Sequence, residues 1–449
     1  MKDMTKGSPM RLILQFMLPV FLGNLFQQMY NLVDTMIVGR LLGVNALASV
    51  GATGSLIFVV LGWVIGTTSG FGVMISQSFG AQDEKRMREQ LAAAVVWCVL
   101  QSVVMTIVFV LFNDRILHLM NAPDTIFEGT RAYMHVIYCG ICASFLYNML
   151  AATSRALGDS KTPLYFLIIS SLLNIVLDYT LIAIIPLGVA GAACATVASQ
   201  AVSGVLCFLY IRRKYPLLRF CRSDWERAPQ HLLRLMSIGA PMGLQFSITG
   251  IGTMIVQTAL NLLGATYIAG FSAAIKVQNT VTQVFPAIGV TVANYTGQNR
   301  GAGDLGRVRE GVRSGLLLTV ICAILCAIFV FFGSDPLTQL FVSGDGADEV
   351  IAASRTLLHI SLWFYIPLGT IFIFRNVLQG LGYGLVPMMG GIFELAARAV
   401  GTVLLASPFG YAGICFTDPL AWVSALIPLI PYYIVKMKKI VLESQGQQK

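Results

Sequence analysis

Two acidic residues lie in apolar stretches of the sequence, where burial of an ionised side chain is costly. Asp34 lies near the end of the first long apolar run, and Asp178 follows Asn174 by four residues in a later run. Residues four apart share a helix face, and Thr196 lies midway in the next run. Brought together, these oxygens suit a hard monovalent cation, and two adjacent carboxyl groups favour retention of a proton on one of them. The pattern predicts an ion-coupling site, with a purely structural polar cluster as the alternative.

The first apolar run has a polar face. Gln27, Tyr30, Asn31 and Asp34 share it by helical spacing, so this face is expected to line a cavity or to pack on another helix. Pro19 precedes Asp34 by 15 residues, about 22 Å at helical rise. Because proline permits a bend, a helix that kinks when Asp34 changes protonation is one hypothesis, and a static kink is the other.

Five further ionisable residues lie in apolar runs. Glu394 and Arg398 are four apart and most simply neutralise each other, with a role in cargo or proton handling as the alternative. Lys276 and Arg375 have no local partner and are expected to compensate acids on other helices. Asp418 precedes a proline near a helix start and is interpreted as a helix cap.

The composition indicates the elements that carry these residues. Hydrophobic residues make up 56% of 449 and charged residues 11%, against about 25% charged in soluble domains. This excludes a disordered chain, a coiled coil and a nucleic-acid-binding module, and it predicts an all-α polytopic membrane protein with 12 transmembrane helices. The twelve predicted spans are 12–38, 47–73, 91–112, 132–153, 163–185, 188–211, 235–262, 267–295, 313–333, 355–379, 384–406 and 412–435.

The distribution of basic residues predicts the orientation of these spans. With both termini in the cytoplasm, 23 Lys and Arg residues fall on the inner side. Four fall on the outer side, namely Arg40, Arg115, Arg131 and Arg355. Cytoplasmic loops are the ones enriched in Lys and Arg. The sequence has no evident cleavable signal or organelle-targeting segment, so we expect a multi-pass protein of a prokaryotic plasma (inner) membrane.

The cysteines and histidines indicate no metal or redox centre. Eight of the nine cysteines lie in apolar segments, and the four histidines are scattered. Cys139 and Cys142 form a C-x-x-C pair without a second pair, and they are interpreted as small apolar side chains. No cofactor is expected beyond a coupling proton or Na⁺.

The two halves of the chain repeat each other. Residues 76–89 and 297–310 are identical at seven of fourteen positions. We divide the chain into an N-terminal lobe at 1–215, a cytoplasmic linker at 216–234 and a C-terminal lobe at 235–449. Six helices per half give both lobes the same orientation, so two pseudo-symmetric six-helix bundles are predicted. This architecture is typical of transporters, and duplication for stability is the alternative.

The acids are not repeated. The first helix of the second half carries an uncharged polar stripe, and Ile255 or Val256 occupies the position that corresponds to Asp34. Ion coupling is therefore predicted to lie in the N-terminal half. The stripe consists of Thr249, Thr253, Gln257 and Asn261.

These residues resemble the multidrug and toxic compound extrusion (MATE) family through nearly the whole chain. The resemblance implies two six-helix lobes that export organic cations and other amphiphiles in exchange for protons or sodium ions. The matching stretches are 19–43, 76–83, 155–163, 174–179, 188–200, 297–304 and 379–382.

The resemblance also implies roles for individual residues. In family members with an ion site in the first lobe, an Asp of the first helix, an Asn-x-x-x-Asp of the fifth and a Thr of the sixth form it. The matching residues here are Asp34, Asn174, Asp178 and Thr196, and the preceding proline matches Pro19. Another branch uses acids in the seventh and tenth helices, where this chain offers only Gln257, Arg375 and Asn376.

The leading function is therefore a secondary antiporter for small amphiphilic or cationic substrates, which acts as a monomer in membrane lipid. It needs no nucleotide, and the sequence has no G-x-x-x-x-G-K-[ST]. A flippase for a lipid-linked precursor is the alternative, but it would need a strongly cationic cavity, whereas three basic and four acidic residues are embedded. No pattern typical of an enzyme, a channel or nucleic-acid binding is present.

Overall fold

The protein is described by a computed structural model that covers residues 2–120, 123–342 and 346–446. Within these ranges the chain is helical and contains no β-strand. The last three residues of the predicted C-terminal lobe, 447–449, lie outside them. The α-helices are α1 (Pro9–Leu42), α2 (Val44–Ala52), α3 (Gly54–Gly80), α4 (Glu84–Leu119), α5 (Asp124–Cys139), α6 (Ile141–Ala156), α7 (Lys161–Tyr179), α8 (Val189–Lys214), α9 (Arg222–Arg227), α10 (Pro229–Asn261), α11 (Ala265–Val281), α12 (Val284–Gly301), α13 (Leu305–Gln339), α14 (Ala347–Ser361), α15 (Tyr365–Gly380), α16 (Leu385–Cys415) and α17 (Thr417–Gly446).

Every predicted span coincides with one helix or with two consecutive helices, which confirms the predicted all-α membrane fold. Among the described residues, nine helical segments are long and apolar enough to cross a membrane, and a bent pair makes ten. Helix α10 and the α11–α12 pair complete the twelve. The polar stripe on α10 explains why this helix is less apolar than the others.

Several spans are broken in a way that hydropathy does not reveal. Helices α5 and α6 meet at Gly140 with a bend of 49°. In the second half, residues 362–364 form a 3₁₀ turn between α14 and α15. The boundary between the last two predicted spans falls at Gly410, whose φ of 54° and ψ of −130° interrupt α16. The two halves thus break their fourth span at corresponding places.

The repeat is also visible in the local turns. Gly43 begins α2 with φ 83°, and Gly264 begins α11 with φ 98°. This left-handed region favours glycine at both turns. The Asp83 carboxylate accepts a hydrogen bond from the Arg86 N–H (2.9 Å), and Asp304 does the same for residue 307 at 3.0 Å. The repeated sequence motif is therefore a helix-starting turn with an aspartate cap.

The chain forms two compact units, each with its own hydrophobic core. Unit 1 contains Met1–Asp3 and Leu22–Gly243, and unit 2 contains Met4–Phe21 and Leu244–Lys449. The unit boundaries fall inside α1 and α10, which are the first helices of the two sequence halves.

In each unit, the repeated motif binds the segment that precedes a first helix. In unit 1, Glu89 of the motif contacts Arg227 (3.5 Å) and His231 (3.1 Å), which lie just before or early in α10. In unit 2, the Met4 N–H donates to the Gln298 side chain at 2.9 Å. Arg307 donates to the Met4 carbonyl oxygen at 3.2 Å. The two motifs therefore anchor corresponding chain segments with different side chains.

A hydrogen-bonded aspartate ties α7 to α8 at the same end of unit 1. Asp159 accepts hydrogen bonds from the Thr162 hydroxyl (2.6 Å), the Lys214 ammonium (2.9 Å) and the Tyr215 phenol. Burial alone would raise the pKa of Asp159, but these hydrogen bonds outweigh it and hold its pKa well below the usual range. Asp159 is therefore a fixed anion at this corner of the unit.

Candidate functional site

The predicted acids meet inside unit 1. Helix α1 supplies Asp34, and α7 supplies Asp178, whose side chain is fully buried. The two carboxyl groups lie close enough to interact directly. Directly after Asp178, residues 180–184 form a π-helical turn, a local irregularity that is frequent at functional sites.

An amide and two hydroxyl groups surround this pair. One of the two orientations of the Asn174 amide gives a hydrogen bond to both its nitrogen and its oxygen. In that orientation the nitrogen donates to Asp178 Oδ2 at 2.9 Å, and the oxygen accepts from the Thr196 backbone N–H at 3.2 Å. The Tyr30 phenol lies close to the Thr196 side chain and within electrostatic range of both carboxyl groups. Three helices, α1, α7 and α8, therefore converge on one polar cluster, and the four predicted coupling residues are all part of it.

The cluster has unused oxygen atoms. The Oδ1 atoms of Asp34 and Asp178 are both buried, and neither has a hydrogen-bond partner in the described structure. Unpartnered buried oxygens are rare in folded proteins. Two carboxyl groups in direct contact also repel when both are ionised, so a proton or a cation stabilises the pair. The arrangement can therefore bind and release one positive charge.

The structure adds one residue that was not predicted from the sequence. Tyr133 of α5 is 5% exposed and lies within electrostatic range of Asp34, Tyr30 and Asp178. It is one of three Phe or Tyr residues on α5, with Phe127 and Tyr138, and no periodic pattern distinguishes it from the other two. Only the packing of α5 in unit 1 brings it to the cluster.

The other predicted residues of the first helix lie elsewhere. Gln27 and Asn31 are exposed in the structure and are not among the contacts of the cluster. Pro19 lies inside the continuous helix α1, in the part that belongs to unit 2. The polar face of this helix is therefore divided between cluster residues and exposed residues.

The polar side chains of the α10 stripe form hydrogen bonds within their own helix. Thr249 donates to the Gln245 carbonyl at 3.1 Å, and Thr253 donates to the Gly250 carbonyl at 2.8 Å. The Gln257 amide donates to the Asn261 side chain at 2.8 Å. These contacts lie along one helix, so Gln257 is not joined to a carboxylate here.

Unit 2 instead contains a buried chain of four charges. Glu394 of α16 contacts Arg375 of α15 and, at 3.4 Å, Arg398 on its own helix. Arg398 also contacts Asp418 of α17 at 2.8 Å. Glu394 and the two arginines are each less than 10% exposed. The predicted Glu394–Arg398 pair is thus the centre of a larger neutral network that joins three helices.

This network gives Arg375 the cross-helix acid that the sequence led us to expect. Asp418 lies in the first turn of α17 and pairs with Arg398, rather than serving only as a helix cap. Lys276 is exposed, with its ammonium 5.6 Å from the centre of the Phe341 ring. The basic residue of α11 thus contacts an aromatic ring rather than taking part in the network.

Within the described ranges, no three His, Cys, Asp or Glu side chains cluster closely enough to hold a metal ion. The nine cysteines are free thiols. The oxygen cluster of Asp34 and Asp178 is therefore the arrangement in unit 1 best suited to a small cation.

Comparison with known proteins places this geometry in context. The family model described as "MatE" matches residues 19–180 and 241–404, more than half of the chain. The "Probable multidrug resistance protein YoeA" of Bacillus subtilis (strain 168) is 28% identical over 97% of this chain and 96% of its own. A "FAD transporter" of Shewanella oneidensis is 22% identical over 95% of this chain and 94% of its own.

The solved structures agree at the level of the fold. The "Outward-facing conformation of a multidrug resistance MATE family transporter of the MOP superfamily" matches with a TM-score of 0.90 at 19% identity. The match covers 98% of this chain and 99% of the other. The twelve-span architecture is therefore shared over the full length of both chains.

Proposed function

Because the chain belongs to the MATE family of multi-pass membrane transporters, we propose that it is a secondary antiporter. It exports organic cations and other amphiphilic molecules in exchange for protons or sodium ions. The observation that carries this proposal is the close approach of Asp34 to the fully buried Asp178, with a buried, unpartnered oxygen on each. A transporter driven by an ion gradient needs a site within the membrane that binds and releases a cation, and embedded carboxylates mark such sites.

The cluster supplies a physical basis for coupling. With a proton or Na⁺ bound, the charges of Asp34 and Asp178 are compensated in their apolar surroundings. After the ion is released, the negative charge of the pair is uncompensated, so it favours hydration of the site and attracts a cationic cargo. An ion that binds one conformation better than another shifts the balance between them, so ion binding drives alternating access. Pro19, inside α1, provides a position where this helix can bend.

The coupling ion needs no resident cofactor. Carboxylate, amide and hydroxyl oxygens are the ligands that a hard cation such as Na⁺ takes, and two adjacent carboxyl groups can also share a proton, so both ions fit the site. Members of the family are transporters and not enzymes. The alternative function as a lipid-linked precursor flippase gains no support from the relatives named above, whose names refer to multidrug resistance and FAD.

We further propose that the protein lies in the plasma membrane as a monomer, with both termini in the cytoplasm. Cys221 tests this orientation because it is a free, exposed thiol in the basic segment between α8 and α10. A membrane-impermeant maleimide is expected to label it in everted vesicles and not in intact cells. The Cys221→Ser variant should lose the maleimide label, which assigns the labelling to Cys221. Labelling of Cys221 in intact cells would reverse the orientation.

The transport proposal is tested by dye flux in everted vesicles with an imposed proton or sodium gradient. Wild type should accumulate an ethidium-like cation under one of the gradients, and Asp34→Asn should not. The effective gradient identifies the coupling ion. The proposed export of organic cations is wrong if neither gradient moves a cation while the protein is present and folded. It is also wrong if an anionic flavin is transported instead.

A further inference from the structure

A cavity of about 570 Å³ lies in unit 2, and its described lining includes no residue of the charge network or of the polar stripe of α10. Its walls come from the turn between α10 and α11, from the first turns of α14 and from the end of α16. By helix order, this is the end of unit 2 opposite the repeated motif at 297–310. The volume is within the range of about 300–1,000 Å³ that is typical of small-molecule sites.

Two glycines and a close helix contact shape this cavity. Gly264 has φ 98° and starts α11 beside the cavity. Gly410 interrupts α16, so that Phe409 is 65% exposed while Tyr411 is turned inward and is 8% exposed. A Cβ on Gly270 would lie 2.5 Å from the Ala353 side chain, so α11 and α14 are in close contact beside the cavity. The cavity is therefore built by ordered backbone rather than by side-chain rotamers alone.

The chemistry of the lining favours a cation. Tyr267 and Tyr411 pack with ring centres 4.7 Å apart, and Glu349 contributes a carboxylate. Among the lining residues in the described part of the chain there is no Lys, Arg or His. Aromatic faces attract organic cations, and a nearby carboxylate adds Coulombic attraction. A pocket of this composition selects positive charge joined to an apolar body.

Two helix N-termini beside the cavity contribute positive partial charge, but this charge is smaller than the negative charge of the nearby carboxylates. The N-termini of α11 and α14 each carry about half a positive charge. The first turn of α14 contains two full negative charges, Asp348 and Glu349. The net field at the cavity is therefore negative, and an anionic ligand is disfavoured.

We propose that this cavity is a second binding site, in unit 2, for an aromatic organic cation. The ligand places its charged group near Glu349 and its ring against Tyr267 and Tyr411. The site is separate from the Asp34–Asp178 cluster of unit 1 and contains none of its residues. Its occupancy therefore does not require coupled transport.

Photolabelling of the purified full-length protein tests this site directly. The probe is (4-azidophenyl)trimethylammonium, with tetraphenylphosphonium as competitor and peptide mass spectrometry as the readout. We expect competable label on peptides that contain Tyr267 or residues 347–356. Glu349 is exposed, so Glu349→Gln should weaken labelling about threefold, the scale of one solvent-accessible ion pair, and Tyr267→Leu should also weaken it.

Matched variants separate this proposal from the transport proposal. Asp348→Asn removes a neighbouring charge that does not line the cavity and should change labelling by less than about twofold. Asp34→Asn should abolish flux and leave labelling intact. Labelling that is unchanged in folded Glu349→Gln and Tyr267→Leu, or stronger labelling by 4-azidobenzoate, would overturn the site. Absence of gradient-driven flux in the wild type, with labelling retained, would overturn only the transport proposal.

Discussion

Replacement of Asp178 by asparagine is expected to abolish gradient-driven export while leaving the protein folded. The variant keeps the shape of the side chain and can still hydrogen-bond Asn174 and Asp34. It removes the charge that a proton or a sodium ion must compensate. The cluster then stays permanently in a state like the ion-bound one, so release of the ion no longer drives the change of conformation. Flux in vesicles should fall to the level of membranes that lack the protein.

The control for this experiment is Asp124→Asn. Asp124 is an exposed carboxylate at the start of α5 in the same unit. Its replacement removes the same charge without touching the cluster, so flux should match wild type. Retention of gradient-driven flux by Asp178→Asn, with Asp124→Asn also active, would contradict the assignment of Asp178 to coupling.

Replacement of Glu394 by glutamine should have the largest effect on stability. Glu394 lies between Arg375 and Arg398, and all three are less than 10% exposed. Its loss leaves the network with one uncompensated positive charge, and the Arg375 Nε is already buried without a partner. Removing one partner of a buried ion pair costs about 3–5 kcal/mol, a large fraction of a total stability of about 5–15 kcal/mol. Thermal and denaturant unfolding of the purified protein should show this loss.

Two variants test whether charge is the cause. Asp335→Asn breaks a comparable pair with Arg355, in which both side chains are more than a third exposed, and should cost about 1 kcal/mol or less. Adding Arg375→Met to Glu394→Gln leaves the Arg398–Asp418 pair balanced and should restore part of the lost stability. Equal losses for Glu394→Gln and Asp335→Asn, or a further loss in the double variant, would contradict this account of the network.

Helical spacing predicts contacts along one helix and is silent about contacts between helices. The i, i+4 relations of Asn174 with Asp178 and of Glu394 with Arg398 are both found in the structure. The approach of Asp34 to Asp178 joins α1 to α7; their residue types suggested that they converge, and the resemblance to a family supported it, but periodicity could not establish it. Arg375 shows the limit most clearly, because its partner lies 19 residues away on another helix.

Hydropathy predicts where spans occur but is insensitive to their internal breaks. The fourth predicted span is a single apolar run, yet it bends by 49° at Gly140. Gly410 likewise interrupts α16 without a signal in hydropathy. The backbone conformation of this one glycine redirects Tyr411 but leaves the average hydropathy of the span unchanged. Tyr133 reaches the candidate site for a similar reason, since tertiary packing and not a sequence pattern places it there.

The Asp34–Asp178 pair is the proposed binding site of the ion that is exchanged for cargo. The most direct measurement follows ion release when tetraphenylphosphonium is added to purified protein in weak buffer, with a pH indicator and a sodium electrode. We predict release of about one proton or sodium ion per wild-type molecule, as expected for one shared site, and none from Asp34→Asn or Asp178→Asn. If both variants release as much ion as the wild type, this pair does not bind the exchanged ion. The same conclusion follows if the wild type binds tetraphenylphosphonium without releasing either ion.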